Sequence, residues 1–402
     1  MKHYTKLLLG FALLLGGGAA AQTGLTFWHS MEGAETSINE LVSAFNQSQD
    51  DYIVTAEYVG GYPEAQTRLA AAFGTQAAPV MFQAEVGYWP QLVSDGALHD
   101  LSDLMDELDP PFLADFYPGL LGYGEIDGGR YGLPWNSSTP VMYVNQDALD
   151  QAGVPVPTDW DEFAAAARQL TTRQAQGVTF VGDSWLYEMI VLSMGGRIVT
   201  EDGSPDFNSP EALEALTMLR DLQADGSLVY YSNTESTAAI LTFVRTRALM
   251  TFASIANWPD VRRFSIGFQI AAKPVPGSED GVVPLGGAQL TVLRTASEEQ
   301  RRGAFEFWQF LMEPDNLRLW VEDSFYIPVR RAALPLLEDF YAQDPNRGAA
   351  LTQLEMAIPR PRVPEVNAWR GMIDDTLELV MRGGHDPARA LEDLQQRALG
   401  GN

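Results

Sequence analysis

The chain has 402 residues, 46% of them hydrophobic and 20% charged, which is globular composition and too much for one ordinary core. Its 53 acidic residues outnumber 26 basic ones, for a formal net charge of −27. That balance argues against nucleic acid, whose binding rests on neutralising phosphates, and against docking on an anionic membrane surface; solubility is the plain role of the acidity.

The first residues read as a secretory signal over 1–21. Lys2 and Lys6 form the positive region, Leu7 to Leu15 the apolar core, and Ala19-Ala20-Ala21 the small-residue cleavage pattern, with a mature start near Gln22. No Cys occurs, so neither disulfides nor a lipid anchor through an N-terminal Cys are expected. No later stretch is long and apolar enough for a transmembrane helix.

Leu25 to Trp28 reads as a first strand, ending in the polar turn His29 to Gly33. Ile38, Leu41, Val42 and Phe45 then fall on one face of a helix. Tyr52 to Tyr58 is a strand, Leu69 to Phe73 a short Ala-rich helix, and Pro79 to Gln83 a strand. Such alternation implies an α/β fold with a mostly parallel sheet, whose ligands sit at the carboxyl ends of strands. Those ends are His29 to Gly33, Gly60-Gly61-Tyr62 and Ala84-Glu85-Val86.

Next comes Asn136-Ser137-Ser138-Thr139-Pro140-Val141-Met142-Tyr143-Val144-Asn145, small and hydroxylated first, apolar and β-prone after. It suits an ordinary loop-to-strand junction. It equally suits a hinge between two lobes, with Ser137 and Ser138 facing a cleft. The pattern then restarts. Asp159 with Glu162 resembles a capping box before a helix carrying Phe163, Ala167 and Leu170. Val178 to Val181 is strand-like and leads to Asp183-Ser184-Trp185. Ala212 to Leu222 is helical, and Ala248 to Phe252 and Ile266 to Ala271 are strands. A Pro/Gly stretch, Lys273 to Gly281, precedes the glycine turn that opens the Gly286 to Val292 strand. Gln300 to Leu311 and Asp315 to Val321 are helices, Tyr326 to Val329 resembles a crossing, Pro359 to Pro364 an extended surface connection, and Trp369 to Met381 the last long helix.

Several chemistries lack their residues. Beyond the leader only His29, His99 and His385 remain, isolated in sequence, so no metal site is expected. The glycine pairs match neither a dinucleotide fingerprint nor a P-loop, and no nucleophile elbow occurs, so neither a cofactor nor a catalytic residue is assigned. Glu32 and Glu85 could converge as two carboxylates of a hydrolase. Strand-end carboxylates among Trp, Tyr, Ser and Gly are equally what a polyol-binding cleft needs.

Taken together, Phe27-Trp28-His29-Ser30-Met31-Glu32-Gly33 and Asn136 to Val141 are motifs that resemble those of periplasmic solute-binding proteins serving carbohydrate-type ABC importers, in particular the glycerol-3-phosphate-binding branch. Ser236-Thr237, Ala248 to Ser254, Gly286-Gly287-Ala288 and Tyr326-Ile327-Pro328 add weaker matches. The resemblance implies a two-lobe flytrap with discontinuous lobes, 22–138 with 276–324 and 139–275 with 325–402. It implies a periplasmic, monomeric, non-catalytic protein. Such a protein would hand glycerol-3-phosphate, or a glycerophosphodiester such as glycerophosphocholine, to membrane permease subunits.

The same resemblance implies the ligand contacts. Tyr62 would touch ligand, Glu85 would accept from glycerol hydroxyls, and Ser138 and Ser254 would supply hydroxyls. Gly286 or Gly287 would offer an N–H, Tyr326 a phenol, Trp185 an aromatic wall, and Arg370 the guanidinium for phosphate. Glu32 belongs to this ligand-binding set, or simply caps the helix that follows. The chemistry agrees: phosphate favours bidentate Arg with neutral donors, and one Arg suits a monoanion at least as well as a dianion. The aromatic residues would also suit a di- or oligosaccharide. Without the motifs, Arg370 on its helix would read as an ordinary solvated residue.

Overall fold

The computed structural model describes residues 22–278 and 282–400. The expected leader lies outside the described residues, as does the end of the Lys273–Gly281 stretch. The described residues form a two-lobe α/β protein built on two five-stranded sheets. One has the order Tyr52–Tyr58, Thr23–His29, Met81–Glu85, Gly286–Val292, Leu133–Ser138. The other has the order Ile270–Lys273, Pro140–Asn145, Ala248–Ser254, Gln176–Gly182, Leu228–Ser232.

Each sheet carries one strand that runs against its neighbours. Gly286–Val292 is antiparallel to both Met81–Glu85 and Leu133–Ser138. Pro140–Asn145 is antiparallel to both Ala248–Ser254 and Ile270–Lys273. The remaining pairings are parallel. In both sheets the opposed strand is the one the chain enters from a strand of the other sheet. Leu133–Ser138 passes to Pro140–Asn145 with only Thr139 between, and Ile270–Lys273 leads on to Gly286–Val292. The stretch Asn136 to Asn145 is therefore the crossing itself. Both of its strands are buried along their whole length, which explains why neither shows alternation.

The crossings are tied to one another. Gln353 is 1% exposed, and its Nε2 donates to Thr139 Oγ1 (2.9 Å) and to the Pro140 carbonyl (2.5 Å). Its Oε1 accepts the Val275 N–H (3.1 Å). The Ile327 N–H donates to the Ser137 carbonyl (2.9 Å), joining the third crossing-like segment to the first.

Local expectations hold in the first sheet: Tyr52–Tyr58 is a strand, and Ile38, Leu41, Val42 and Phe45 are the buried face of the Glu35–Ser48 helix. Four readings need correction. The helix expected from Leu69 begins at Tyr62, with Pro63 in its first turn, where a missing N–H costs nothing. The strand expected over 266–271 is Ile270–Lys273, because the Trp258–Phe264 helix runs up to it and Gly267 turns the chain at φ +88°, leaving Ile266 84% exposed. The proline-rich connection over 359–364 is irregular rather than a strand, and it is not a surface segment throughout, since Arg360 within it is 1% exposed. At Asp159 the side chain caps the Glu162 N–H (2.8 Å), while Glu162 reaches back to Thr158 rather than closing a box on Asp159.

Candidate functional site

Glu85 closes the Met81–Glu85 strand and is 7% exposed. A buried carboxylate needs partners. Its Oε2 accepts the Gly87 N–H (2.9 Å) and an Arg370 Nη1–H (2.5 Å). Arg370 stands on the Val366–Met381 helix, which packs on the Gln176–Gly182 and Leu228–Ser232 strands of the second sheet. The ion pair therefore joins the two lobes. Gly87 makes room for it, since a Cβ there would run into the Arg370 side chain.

Beside Glu85 lies a phenol cluster. Asn136 Nδ2 donates to the Tyr62 hydroxyl (3.3 Å), and the Tyr326 hydroxyl lies against both. Burial pushes both phenols up from their ordinary value; the neighbouring Glu85 adds to this at Tyr62. They are held as neutral donors. Tyr326 stacks on Trp320 (5.9 Å between centroids), which stacks on Trp135 (4.6 Å), so an aromatic column in the first lobe fixes its ring.

The third component is a glycine edge. Gly286 and Gly287 pair with Ser138 and Ser137. A Cβ at Gly286 would fall 2.6 Å from the Trp185 ring and 2.9 Å from Ser138 Oγ. Trp185, from the second lobe, thus lies against the first-lobe strand and the Ser138 hydroxyl. Gly287 has φ +99°, and a Cβ there would collide with the Asn136 carbonyl. Its own carbonyl accepts the Val86 N–H (3.1 Å), which ties this edge to Glu85.

Two expected residues take lesser places. Ser254 sits opposite Pro140 at the crossing; its Oγ caps the Ala256 N–H (3.2 Å), and its carbonyl accepts the Tyr143 hydroxyl (2.7 Å). Glu32 is exposed in a short 3-10 turn and caps nothing through its side chain. Eight expected residues therefore converge: Tyr62, Glu85, Ser138, Trp185, Gly286, Gly287, Tyr326 and Arg370.

Sequence reasoning missed several neighbours. Asn136 lies inside a quoted motif but was given no role. Glu188, one turn after Trp185, forms a fully buried ion pair with Arg360 (2.7 Å; 2% and 1% exposed). Burial pushes the Glu188 carboxyl up while Arg360 pulls it back; against its own burial, Arg360 is held charged by Glu188. Asp374, four residues after Arg370, accepts the Ser184 N–H (2.7 Å) and the Asn233 side-chain amide (2.8 Å). Burial, then the nearby Asp183, push it up to about 7. A cavity of about 810 Å³ lies behind the Glu188–Arg360 pair, lined by Glu125, Asp127, Thr200 and Arg362 among others; none of the ten expected residues lines it.

Residues 40–349 match the bacterial extracellular solute-binding protein family. The chain belongs to that family. This solute-binding protein is 29% identical to the sn-glycerol-3-phosphate-binding periplasmic protein UgpB of Escherichia coli K12, over 98% of this chain and 96% of the relative. It is 28% identical to the protein of the same description from Brucella abortus, with the same coverage. Among solved structures, UgpB from Mycobacterium tuberculosis in complex with glycerophosphocholine superposes with a TM-score of 0.84 at 23% identity, covering 94% of this chain and 98% of the other. The GacH receptor of Streptomyces glaucescens, solved unliganded and with acarbose, gives 0.81 at 21% identity, covering 94% and 99%. The two-lobe fold is that of periplasmic binding proteins.

Proposed function

We propose that this solute-binding protein captures glycerol-3-phosphate or a glycerophosphodiester, such as glycerophosphocholine, between its lobes and delivers it to the permease subunits of an ABC importer. In this reading it works as a periplasmic monomer without catalysis. Its lobes comprise 22–138 with 276–324 and 139–275 with 325–402, and they hinge about Ser138 to Pro140, Lys273 to Pro276 and Phe325 to Ile327. The carrying observation is the Glu85–Arg370 pair between the lobes, ringed by neutral donors from Tyr62, Tyr326, Asn136 and Ser138. Arg370 would take phosphate oxygens, and Glu85 would turn to the glycerol hydroxyls. Because Arg370 already has a carboxylate partner, the site offers little net positive charge, which favours a monoanionic diester over a dianion. The full-length likeness to glycerol-3-phosphate-binding relatives supports the same ligand class.

A hydrolase reading has little support: Glu85 is committed to Arg370 and Gly87, and Glu32 is exposed. A saccharide remains the second reading, because Trp185 and Tyr326 present aromatic surface and several structural neighbours are sugar-binding proteins. Calorimetry with glycerol-3-phosphate, glycerophosphocholine and maltose separates the two. Micromolar or tighter binding of a phosphate-containing ligand is expected; maltose binding alone would transfer the assignment to saccharides.

A further inference from the structure

Trp185 and Arg370 belong to different elements of the second lobe, and one side chain joins them. Trp185 is the second residue of the Ser184–Ser193 helix. The first N–H groups of a helix have no partner within it. Asp183 caps the Trp185 and Leu186 N–H groups (2.8 and 3.3 Å), and Asp374 takes the Ser184 N–H. The second Asp374 oxygen accepts from Asn233, at the start of the 3-10 turn Asn233–Glu235. Asp374 is four residues from Arg370 on the Val366–Met381 helix, hence on the same face. Three elements meet at its carboxylate.

We propose that Asp374 is a positioning residue that holds Trp185 and Arg370 in one arrangement, and that it takes up a proton when a ligand's phosphate group is captured on Arg370. The inference rests on the anionic-ligand reading above.

The charges around Asp374 set the sign. Asp183 faces it from the helix it caps. Arg370 lies one turn before it on its own helix, and Glu378 one turn after. Tyr230 approaches from the Leu228–Ser232 strand, and Glu235, paired with Arg382, from the 3-10 turn. Of these, Arg370 favours the ionised carboxylate and Asp183 opposes it. Arg370 already faces Glu85, so a phosphate on it adds net negative charge near Asp374. The neutral acid then becomes the stable form, and its burial has already brought the titration to about 7. Below that pH the proton is present before ligand arrives; above it, capture must draw one from solvent, so affinity falls as pH rises.

The probe is glycerophosphocholine, a zwitterion whose phosphodiester anion and quaternary ammonium both keep their charge through the neutral range; a phosphomonoester itself titrates near pH 6. Calorimetry at about pH 7.5 in two buffers of different ionisation enthalpy should count about 0.3 to 0.5 proton taken up per ligand, and affinity should fall roughly threefold to tenfold between about pH 6 and about pH 8.5. Asp374→Asn can keep both hydrogen bonds if Asn233 turns its amide, so it should bind with no proton uptake and a flat pH profile. Wild-type binding without uptake, or uptake that survives Asp374→Asn, overturns the proposal alone. No binding by wild type at any pH removes the ligand reading and this proposal together. If the variant does not fold, the wild-type proton count decides.

Discussion

The two walls of the candidate site are built on different principles. The first-lobe wall is close to neutral: Tyr62, Asn136, Ser138 and a glycine edge, with Glu85 its one charge, and Tyr326 at the hinge stacks on its Trp320. Strand register and an aromatic column hold it. The second-lobe wall carries Arg370 and Trp185 over a bed of paired and titrating groups, Glu188–Arg360, Asp183 and Asp374. The first can discriminate by shape and hydroxyl count; the second responds to charge.

The most damaging change should fall in the second wall. Glu188→Gln or Arg360→Met strands one charge of a pair that is 2% and 1% exposed, and each should cost about 3–5 kcal/mol of stability in denaturant titration. Replacing both should cost much less, since hydrophobic substitutes for buried pairs are often tolerated.

Arg370→Ala tests what joins the walls. It removes the charge-assisted partner of a phosphate and leaves Glu85 facing the ligand uncompensated. Affinity for glycerophosphocholine should fall by roughly 2–5 kcal/mol, about 30-fold or more, with Arg370→Lys recovering part. A change within threefold would end the phosphate reading of this residue.

The lobes should also differ in their response to pH. His29, buried in the first sheet, has its pKa lowered to about 4 by burial, and its Nδ1 accepts the Met31 N–H (3.3 Å). The unfolded chain binds that proton below 6.5 and the folded one does not, so stability should fall by up to about 3 kcal/mol as pH drops from 6.5 towards 4. Asp374 has the opposite sign: its folded form holds a proton up to about 7, so its contribution weakens as pH rises from 3.8 through that value. His29→Gln should flatten the acid limb of a stability–pH curve, and Asp374→Asn the neutral one.

A smaller effect sharpens the geometry. Gly87→Ala places a methyl where the Arg370 side chain now lies, while the Gly87 backbone keeps its bond to Glu85. Arg370 must move outward, and affinity should drop about tenfold with little loss of stability.

What the sequence disclosed follows from the range of each interaction. Tyr52 to Tyr58 and the Ile38 to Phe45 face were legible because period and burial agree within a few residues. The Ser184–Ser193 helix was not, since every residue but Trp185 is buried and a helix buried on all sides shows no stripe. Tyr62 read as a turn because its glycines were visible and its place as first helical residue was not. Most site residues were reachable only through motif resemblance. The pairing of Glu85 with Arg370 bridges 285 positions, and no local pattern encodes it. Arg360, set between prolines, looked like a surface residue because only the folded chain brings Glu188 to it.

The reversed strand of the first sheet bears on how the chain acquires its shape. Gly286–Val292 lies between Met81–Glu85 and Leu133–Ser138, which are not paired with each other. Until residues near 290 are available, that sheet consists of a three-stranded piece and a separate strand with no partner. Its central contacts, such as Glu85 with Ala288, close a loop of about 200 residues, which makes the search slow and leaves two sticky edges exposed meanwhile. A chain synthesised from its N-terminus would remain incompletely folded for most of its length, the condition in which a polypeptide can still be threaded through a narrow pore.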